Sequence, residues 1–166
     1  MRKRNICNPK KYLIDGCVPD IISICNNCHV DVCVFDSDDL IVSGINSFYR
    51  NEHNKYIIYI RHGLDISFTR FLASYMLSCI YIYGEDANYA ICYQDSIYDR
   101  CAYSFALDLL LPNIIKDNLY FDDLKDLANK YKVSENLIIQ KRVMNEEKKK
   151  FKVLKMEERK WHYLKN

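Results

Sequence analysis

The first half of the chain alternates between helical and strand-like hydrophobic patterns. Between residues 20 and 28 the apolar positions recur at helical spacing and predict one apolar helix face, formed by Ile21, Ile22, Ile24, Cys25 and Cys28. Residues 31–35 then alternate, with Val32 and Val34 on one side, and predict a short strand. Residues 40–50 and 55–61 predict two more strands, joined through the polar residues 51–54 as a hairpin.

The second half of the chain is predicted to be helical. Residues 64–83 form a long, mostly apolar stretch that predicts a central core helix. Asp95 and Ser96 are suitable caps for the next helix, which is predicted to run to Leu111, where Pro112 ends it. Residues 122–131 and 134–144 predict a further pair of helices separated by a turn.

Two of these helical segments carry a recognisable residue pattern. The first reads Arg70-Phe71-Leu72-Ala73-Ser74-Tyr75-Met76-Leu77-Ser78-Cys79, and the second runs from Asp99 through Ala102, Phe105 and Ala106 to Leu109-Leu110-Leu111-Pro112. Together they resemble the ImmA/IrrE family of zinc metallopeptidases, in which R-F-T-x-A-H-E-L-G-H is followed by E-x-x-A-N-x-F-A-x-x-L-L-M-P. A segment at residues 124–138 resembles the part of the family that closes its core, so the resemblance covers roughly residues 18–143.

The catalytic positions of that family hold different residues in this chain. In a His-Glu-x-x-His helix the two imidazoles bind zinc from one face, and the Glu acts as general base for the zinc-bound water. Here Tyr75 stands at the first His, Met76 at the Glu and Cys79 at the second His, while Asp99 keeps a carboxylate at the third-ligand position. A neutral phenol is a poor zinc ligand, and a thioether cannot take a proton from water.

A second alignment register remains open. It places Phe68-Thr69 on the Phe-Thr of the family and puts Leu72, Ala73 and Met76 on the three key positions. It supplies no metal ligand either, although the first register explains more neighbouring residues. Either register predicts a chain without the hydrolytic machinery and without a cofactor.

The resemblance implies a fold, a domain division and a kind of partner. The expected class is α+β with a zincin-like metallopeptidase scaffold, in which a small N-terminal, mainly antiparallel sheet packs on a helical core. The expected domain spans residues 1–144, with a basic helical extension or tail at residues 145–166. Members of the family act on helix-turn-helix repressors, often on phages and mobile elements, so we expect a protein-binding regulator of such a repressor or of another host protein.

The composition limits the number of domains and the expected cellular compartment. The chain has 166 residues, of which 49% are hydrophobic, enough for one domain with a real core. No apolar run reaches the roughly 18 residues that a membrane span needs, and the polar residues after the basic start do not form a signal core, so a cytoplasmic protein is expected. In that compartment the eight cysteines are expected to be reduced, several of them as small core residues.

The sequence also contains two weaker candidates for a metal site. A remnant metal site could use Cys79 and Asp99 with a distant His62 or His29. The run Cys25-x-x-Cys28-His29 superficially resembles a zinc knuckle, but it lacks a second ligand pair, so buried core thiols are favoured.

Positive charge is concentrated at the end of the chain. The net charge is +2, yet residues 141–166 hold ten Lys or Arg against four Glu, which leaves residues 1–140 at about −4. The residues that could contact phosphates or an acidic protein are Lys148, Lys149, Lys150, Lys152 and Lys155. A solvated helix with glutamates paired to lysines is the alternative, and nucleic-acid binding is not favoured. The acidic first helix of the pair at residues 122–144 also argues against DNA binding by that pair, although Lys141 and Arg142 lie on the second.

Overall fold

The structure is a computed structural model that describes residues 6–36, 44–84, 91–93, 97–112 and 122–164, with side chains described except at 91–93, 122–123 and 151–164. The described chain begins with a short 3-10 helix, Pro9–Tyr12. The helices that follow are α1 (Ile21–Asn27), α2 (Ile66–Tyr83), α3 (Arg100–Leu110), α4 (Asp122–Tyr131) and α5 (Glu135–Leu164). The strands are β1 (Val30–Phe35), β2 (Ile45–Glu52), β3 (Lys55–Arg61) and β4 (Ile91–Tyr93).

The four strands form one mixed sheet in the order β1-β3-β2-β4. β3 pairs parallel with β1 and antiparallel with β2, and β4 pairs antiparallel with β2. Two of these three pairings are antiparallel, and the helices lie in a separate part of the chain from most of the strands. The predicted α+β class is therefore confirmed, with a mixed sheet among the described strands.

The hairpin between β2 and β3 is tighter than the sequence predicted. His53 and Asn54 form its turn, and both have positive φ values, 52° and 66°, as a two-residue type I′ turn requires. The strands thus continue through Glu52 and Lys55, which pair with each other. Residues 40–43 of the predicted first strand lie outside the described residues.

α2 is the central element of the core, as predicted. Its N-cap Asp65 accepts a hydrogen bond from the backbone of Phe68 at 2.9 Å, and every residue from Phe71 to Ile80 is buried. One face of the sheet packs against α2 through alternating buried residues, Tyr56, Ile58 and Ile60 of β3 and Tyr49 of β2. A helix that is apolar on all sides is expected where the core surrounds it completely.

Three predicted helices differ in detail from the structure. In α1, which Asp20 caps, Ile22 is 45% exposed and does not belong to the buried face. α3 begins at Arg100 and is capped by Asp99. Its start is therefore later in the chain than the predicted caps Asp95 and Ser96 would place it. Both predicted caps lie outside the described residues. α5 continues without a break from residue 135 through the predicted boundary at 144 to Leu164.

The two C-terminal helices pack onto the core through their apolar faces. The buried residues are Leu124, Ala128, Tyr131, Val133, Leu137 and Ile138. None of the helices that the structure describes is long and apolar enough to cross a bilayer.

Candidate functional site

The residues that the family resemblance aligns with metal ligands meet where α2 faces the beginning of α3. Tyr75, Cys79 and Tyr83 are spaced four residues apart, so they share one face of α2. The hydroxyl of Tyr75 accepts a hydrogen bond from the backbone nitrogen of Asp99 at 2.9 Å. The structure therefore brings together the first and third ligand positions of the zinc-peptidase pattern.

Asp99 is bound at both its backbone and its side chain. Its carboxylate caps α3 by accepting a hydrogen bond from Ala102 N at 2.9 Å. A hydrogen bond with Tyr83 lowers the pKa of Asp99 most, and the bond from Ala102 lowers it further. The same bond with Asp99 raises the pKa of Tyr83. At neutral pH Asp99 is thus an ionised cap that already has two donors.

Tyr75 and Cys79 are almost fully buried, with exposed fractions of 8% and 3%. Burial raises the pKa of Tyr75, and the neighbouring Cys79, with which it hydrogen-bonds, raises it further. Tyr75 is therefore a neutral phenol at any physiological pH. A neutral phenol binds a dication weakly compared with an imidazole or a carboxylate.

Aromatic rings fill the junction around Tyr75. The Tyr98 ring packs edge-on against Tyr75 at 4.9 Å and against Phe71 at 5.1 Å, between ring centroids. Tyr103 approaches Phe71 at 5.5 Å. Such contacts stabilise by about 1 kcal/mol each beyond the area that they bury. Tyr83, Tyr98 and Tyr103 were not predicted as site residues, and the signal for them in the sequence is their spacing relative to Tyr75 and Asp99.

Met76, at the position of the general base, is completely buried in the core. Its thioether sulfur is only a weak acceptor. The geometry offers no base beside Asp99 from this position. In the alternative register, Leu72 and Ala73 are equally buried and apolar.

Metal ligands do not cluster in the described part of the chain. Among the residues described there, no group of three or more His, Cys, Asp or Glu side chains could hold a metal ion. His62 lies after β3, where its Nδ1 is 3.6 Å from the Asp36 carboxylate and both side chains are exposed. His29 is an exposed residue with φ 59° that follows α1. Neither histidine is brought to Cys79 and Asp99.

The zinc-knuckle-like cysteines are buried thiols. Cys25 and Cys28 are 0% and 1% exposed. Desolvation raises the pKa of each of them to about 12, so both are protonated and uncharged. Cys33 lies apart from them as an exposed residue of β1.

The lysines of the basic stretch of α5 differ in their ion-pair partners. Lys148 Nζ lies 3.9 Å from the Asp108 carboxylate, and Lys149 pairs with Glu146 at 3.1 Å. Lys150 is exposed. The side chains of Lys152 and Lys155 lie outside the described residues. Phosphate contact by these lysines stays a prediction.

Lys141 is buried, whereas a lysine that contacts nucleic acid must be exposed. Its exposed fraction is 5%, and it forms a short ion pair with Asp108 of α3. Lys10, in the 3-10 helix, binds the other oxygen of the same carboxylate at 2.5 Å. Lys141 therefore joins α5 to α3 and is unavailable to a nucleic-acid groove.

Two adjoining hollows lie between α3 and α5, and we call them together the α3–α5 groove. Their volumes are about 490 and 370 Å³. Arg100, Met144 and Glu147 line both hollows, while Phe105 lines the larger and Val143 the smaller. Arg100 and Glu147 form an exposed ion pair at 2.5 Å that links the two helices.

A scan of the chain against protein-family models and a search of curated proteins both found no match. The family resemblance therefore rests on the residue patterns of the two helical segments and of residues 124–138 alone.

Proposed function

We propose that the chain is a catalytically inactive protein of the ImmA/IrrE type that regulates by binding a protein. On this proposal its zincin-like scaffold serves a phage or mobile element, and its partner is a helix-turn-helix repressor or another host protein. The proposal joins two parts, the loss of the zinc site and the use of a surface for recognition. Each part has its own support and its own experiment.

The observation that carries the first part is the contact between Tyr75 and the first residue before α3. Its hydroxyl takes the backbone nitrogen of Asp99 as a donor at 2.9 Å, where a metal-binding imidazole of the family would need open space toward a third ligand. A catalytic zinc site also keeps one position open for water. Tyr75, Tyr98 and Phe71 pack against one another in that region instead.

The support for the second part is the α3–α5 groove. Its lining combines apolar side chains, including Phe105 and Met144, with charged ones. The charged side chains of the lining balance one another, because Arg100 pairs with Glu147 and Lys148 lies near Asp108. A groove between two helices with an apolar floor suits an amphipathic helix. We infer that the partner presents such a helix, with its apolar face on Phe105, Val143 and Met144.

The first experiment measures zinc and cleavage together. The chain, purified without chelators, is analysed for zinc by mass spectrometry and incubated with the repressor encoded beside it. The proposal predicts less than stoichiometric zinc and an intact repressor. Stoichiometric zinc together with repressor cleavage would sink the proposal in favour of an active peptidase with relocated ligands, and loss of that cleavage in Asp99→Ala would place the metal at this junction.

The second experiment tests the groove with matched variants. Val143 is 49% exposed in the groove, and Val34 is 66% exposed on β1, outside it. In calorimetric titrations with the same repressor, Val143→Asp is expected to weaken binding at least tenfold, because it places a carboxylate in an apolar contact, while Val34→Asp leaves the affinity unchanged. Equal affinities for both variants would exclude the groove as the contact surface.

A further inference from the structure

Two cysteines outside the α2–α3 junction lie next to each other. Cys7, in the segment before the 3-10 helix, has its sulfur 3.7 Å from the sulfur of Cys28, the residue that ends α1. Cys28 also directs its thiol at the Cys7 carbonyl oxygen, 3.8 Å away. A disulfide needs the two sulfurs to approach to about 2.0 Å, so the two side chains must move closer when the bond forms.

The surroundings of Cys7 favour its ionised form. Burial by itself raises the pKa of Cys7, but hydrogen bonds with Tyr12 and Cys28 and the charge of Lys11 together outweigh it and lower the pKa. The Tyr12 hydroxyl lies 3.3 Å from the Cys7 sulfur and donates to the Asn27 carbonyl oxygen at 2.9 Å, and Lys11 lies over the Tyr12 ring at 5.0 Å. A thiolate near a cation is the reactive form of cysteine toward oxidants.

The two thiols differ in accessibility in the way that a peroxide-reactive pair requires. Cys7 is partly exposed and can meet a dissolved oxidant, whereas Cys28 is 1% exposed. The buried thiol is protected from direct attack but lies within reach of its neighbour. A reactive cysteine next to a second cysteine that resolves it is the usual arrangement of a redox-sensing site.

We propose that Cys7 and Cys28 form a redox-active pair that a hydroperoxide converts into a disulfide. The Cys7 thiolate attacks one peroxide oxygen, the O–O bond breaks, and the Cys7 sulfenic acid forms while the other oxygen leaves and takes a proton from water. Cys28 then attacks the Cys7 sulfur. The S–S bond forms as the S–O bond breaks, and the hydroxyl leaves with the Cys28 proton as water. The peroxide is reduced by two electrons and the two sulfurs together are oxidised by two.

The disulfide would fix the beginning of the described chain on α1. The segment that it closes contains the 3-10 helix, whose Lys10 binds Asp108 of α3. Oxidation would thus restrict the movement of the 3-10 helix, which is one of the three elements that meet at Asp108. The inference is independent of the proposed loss of zinc and of the partner.

The test is peptide mapping after oxidation of the reduced, full-length protein with a small excess of hydrogen peroxide. Free thiols are blocked, the protein is digested, and the peptides are analysed by mass spectrometry. We expect a cross-linked pair of peptides containing Cys7 and Cys28, lighter by two hydrogen atoms than the reduced peptides. We also expect Cys7 to react several times faster than the exposed Cys17, Cys33 and Cys101.

Two variants separate this pair from general oxidation. Cys7→Ser should abolish the cross-link and leave Cys28 reduced, and Cys17→Ser should leave the cross-link unchanged. A cross-link between other cysteines would overturn the proposal. So would oxidation of Cys7 at the same rate as Cys17, because the pair would then have no special reactivity.

Discussion

Tyr75, which the family resemblance aligns with a metal ligand, fills its place between α2 and α3 with packing and a hydrogen bond. Its ring fills space against Tyr98, and its hydroxyl accepts the hydrogen bond of a backbone donor at the beginning of α3. The first N–H groups of a helix have no partner inside the helix, so an acceptor placed just before the first turn stabilises the chain there. Tyr75 therefore contributes both packing and a hydrogen bond at this position.

Removing this hydroxyl alone is the corresponding prediction. Tyr75→Phe should lower the free energy of unfolding by about 1 kcal/mol, because the backbone nitrogen of Asp99 loses its acceptor while the ring packing remains. Urea denaturation measures the change. Tyr59→Phe is the control, since the Tyr59 hydroxyl bonds to the side chain of Glu52 at 3.2 Å and not to the backbone at a helix start, so its loss should cost less. A larger effect at Tyr59 than at Tyr75 would contradict the account.

The sequence predicts Tyr75, Met76, Cys79 and Asp99 as one site because the two helical patterns can be aligned with the family. It did not predict the hydrogen bonds among them. Those bonds depend on how closely α3 approaches α2, and the approach is set by rings such as Tyr98 and Tyr103 that have no fixed place in the pattern. The side-chain chemistry could be read in advance, while the contacts could not.

At the scale of elements, one carboxylate joins three parts of the fold. Asp108 of α3 binds Lys10 of the 3-10 helix and Lys141 of α5. Asp108 and Lys141 are mostly buried, with side-chain exposures of 24% and 6%. Loss of one partner would leave a poorly solvated charge, which is costly in the interior.

Asp108→Asn should lower the free energy of unfolding at pH 7 by about 2 kcal/mol, a figure reduced for the partial exposure of the group. Chemical denaturation of the variant and the parent gives the difference. Asp31→Asn is a matched control, because Asp31 pairs with Lys55 at 2.6 Å where both side chains are about half exposed. Its effect should be below about 1 kcal/mol. Equal losses in the two variants would show that the Asp108 network does not join the elements as described.

The same network predicts a pH dependence. Burial raises the pKa of Asp108, but its bonds to Lys10 and Lys141 outweigh burial and lower the pKa. A carboxyl group with a lowered folded-state pKa contributes stability that is present above its unfolded pKa of about 3.9 and is lost as the pH falls through the folded value. Unfolding measured from pH 7 to pH 2 should therefore show a loss of stability below about pH 4 that is smaller in Asp108→Asn. An identical acid loss in the variant would contradict this assignment.

Elements were predicted well where the periodicity was strong and less well at their ends. The central helix α2 and strand β3 follow from long apolar runs. The start of α3 was placed too early because Asp95, Ser96 and Asp99 are all good caps, and only the approach to α2 selects Asp99. The burial of Lys141 could not be foreseen either, since its partner Asp108 lies 33 residues away in sequence.

At the scale of the whole molecule, the buried core ends before the last residues whose side chains the structure describes. Among those residues the buried ones run from Ile6 to Lys141, and Met144 packs against them, whereas residues 146–150 of α5 are exposed. The basic part of the helix beyond this core holds the residues predicted to contact phosphate. The fold and the C-terminal part of α5 should therefore be separable.

A truncation after Lys150 tests this separation. It keeps Lys141, Met144 and the Arg100–Glu147 pair, so the free energy of unfolding should fall by less than about 1 kcal/mol, as for changes away from the core. Any affinity for DNA that depends steeply on salt should be lost if Lys152 and Lys155 supply it. A large loss of stability would mean that the removed residues pack on the domain.

We propose above all that the scaffold of a zinc peptidase is retained while its metal ligands have been replaced. The most direct test is the zinc content per chain. It is measured for the parent protein and for the double variant Tyr75→His with Cys79→His, and again for each of them with Asp99→Ala added. We predict no stoichiometric zinc in the parent and about one zinc in the double variant, held by two imidazoles and Asp99 and lost on Asp99→Ala. A folded double variant that binds no more zinc than the parent, or a parent whose stoichiometric zinc disappears on Asp99→Ala, would contradict the claim.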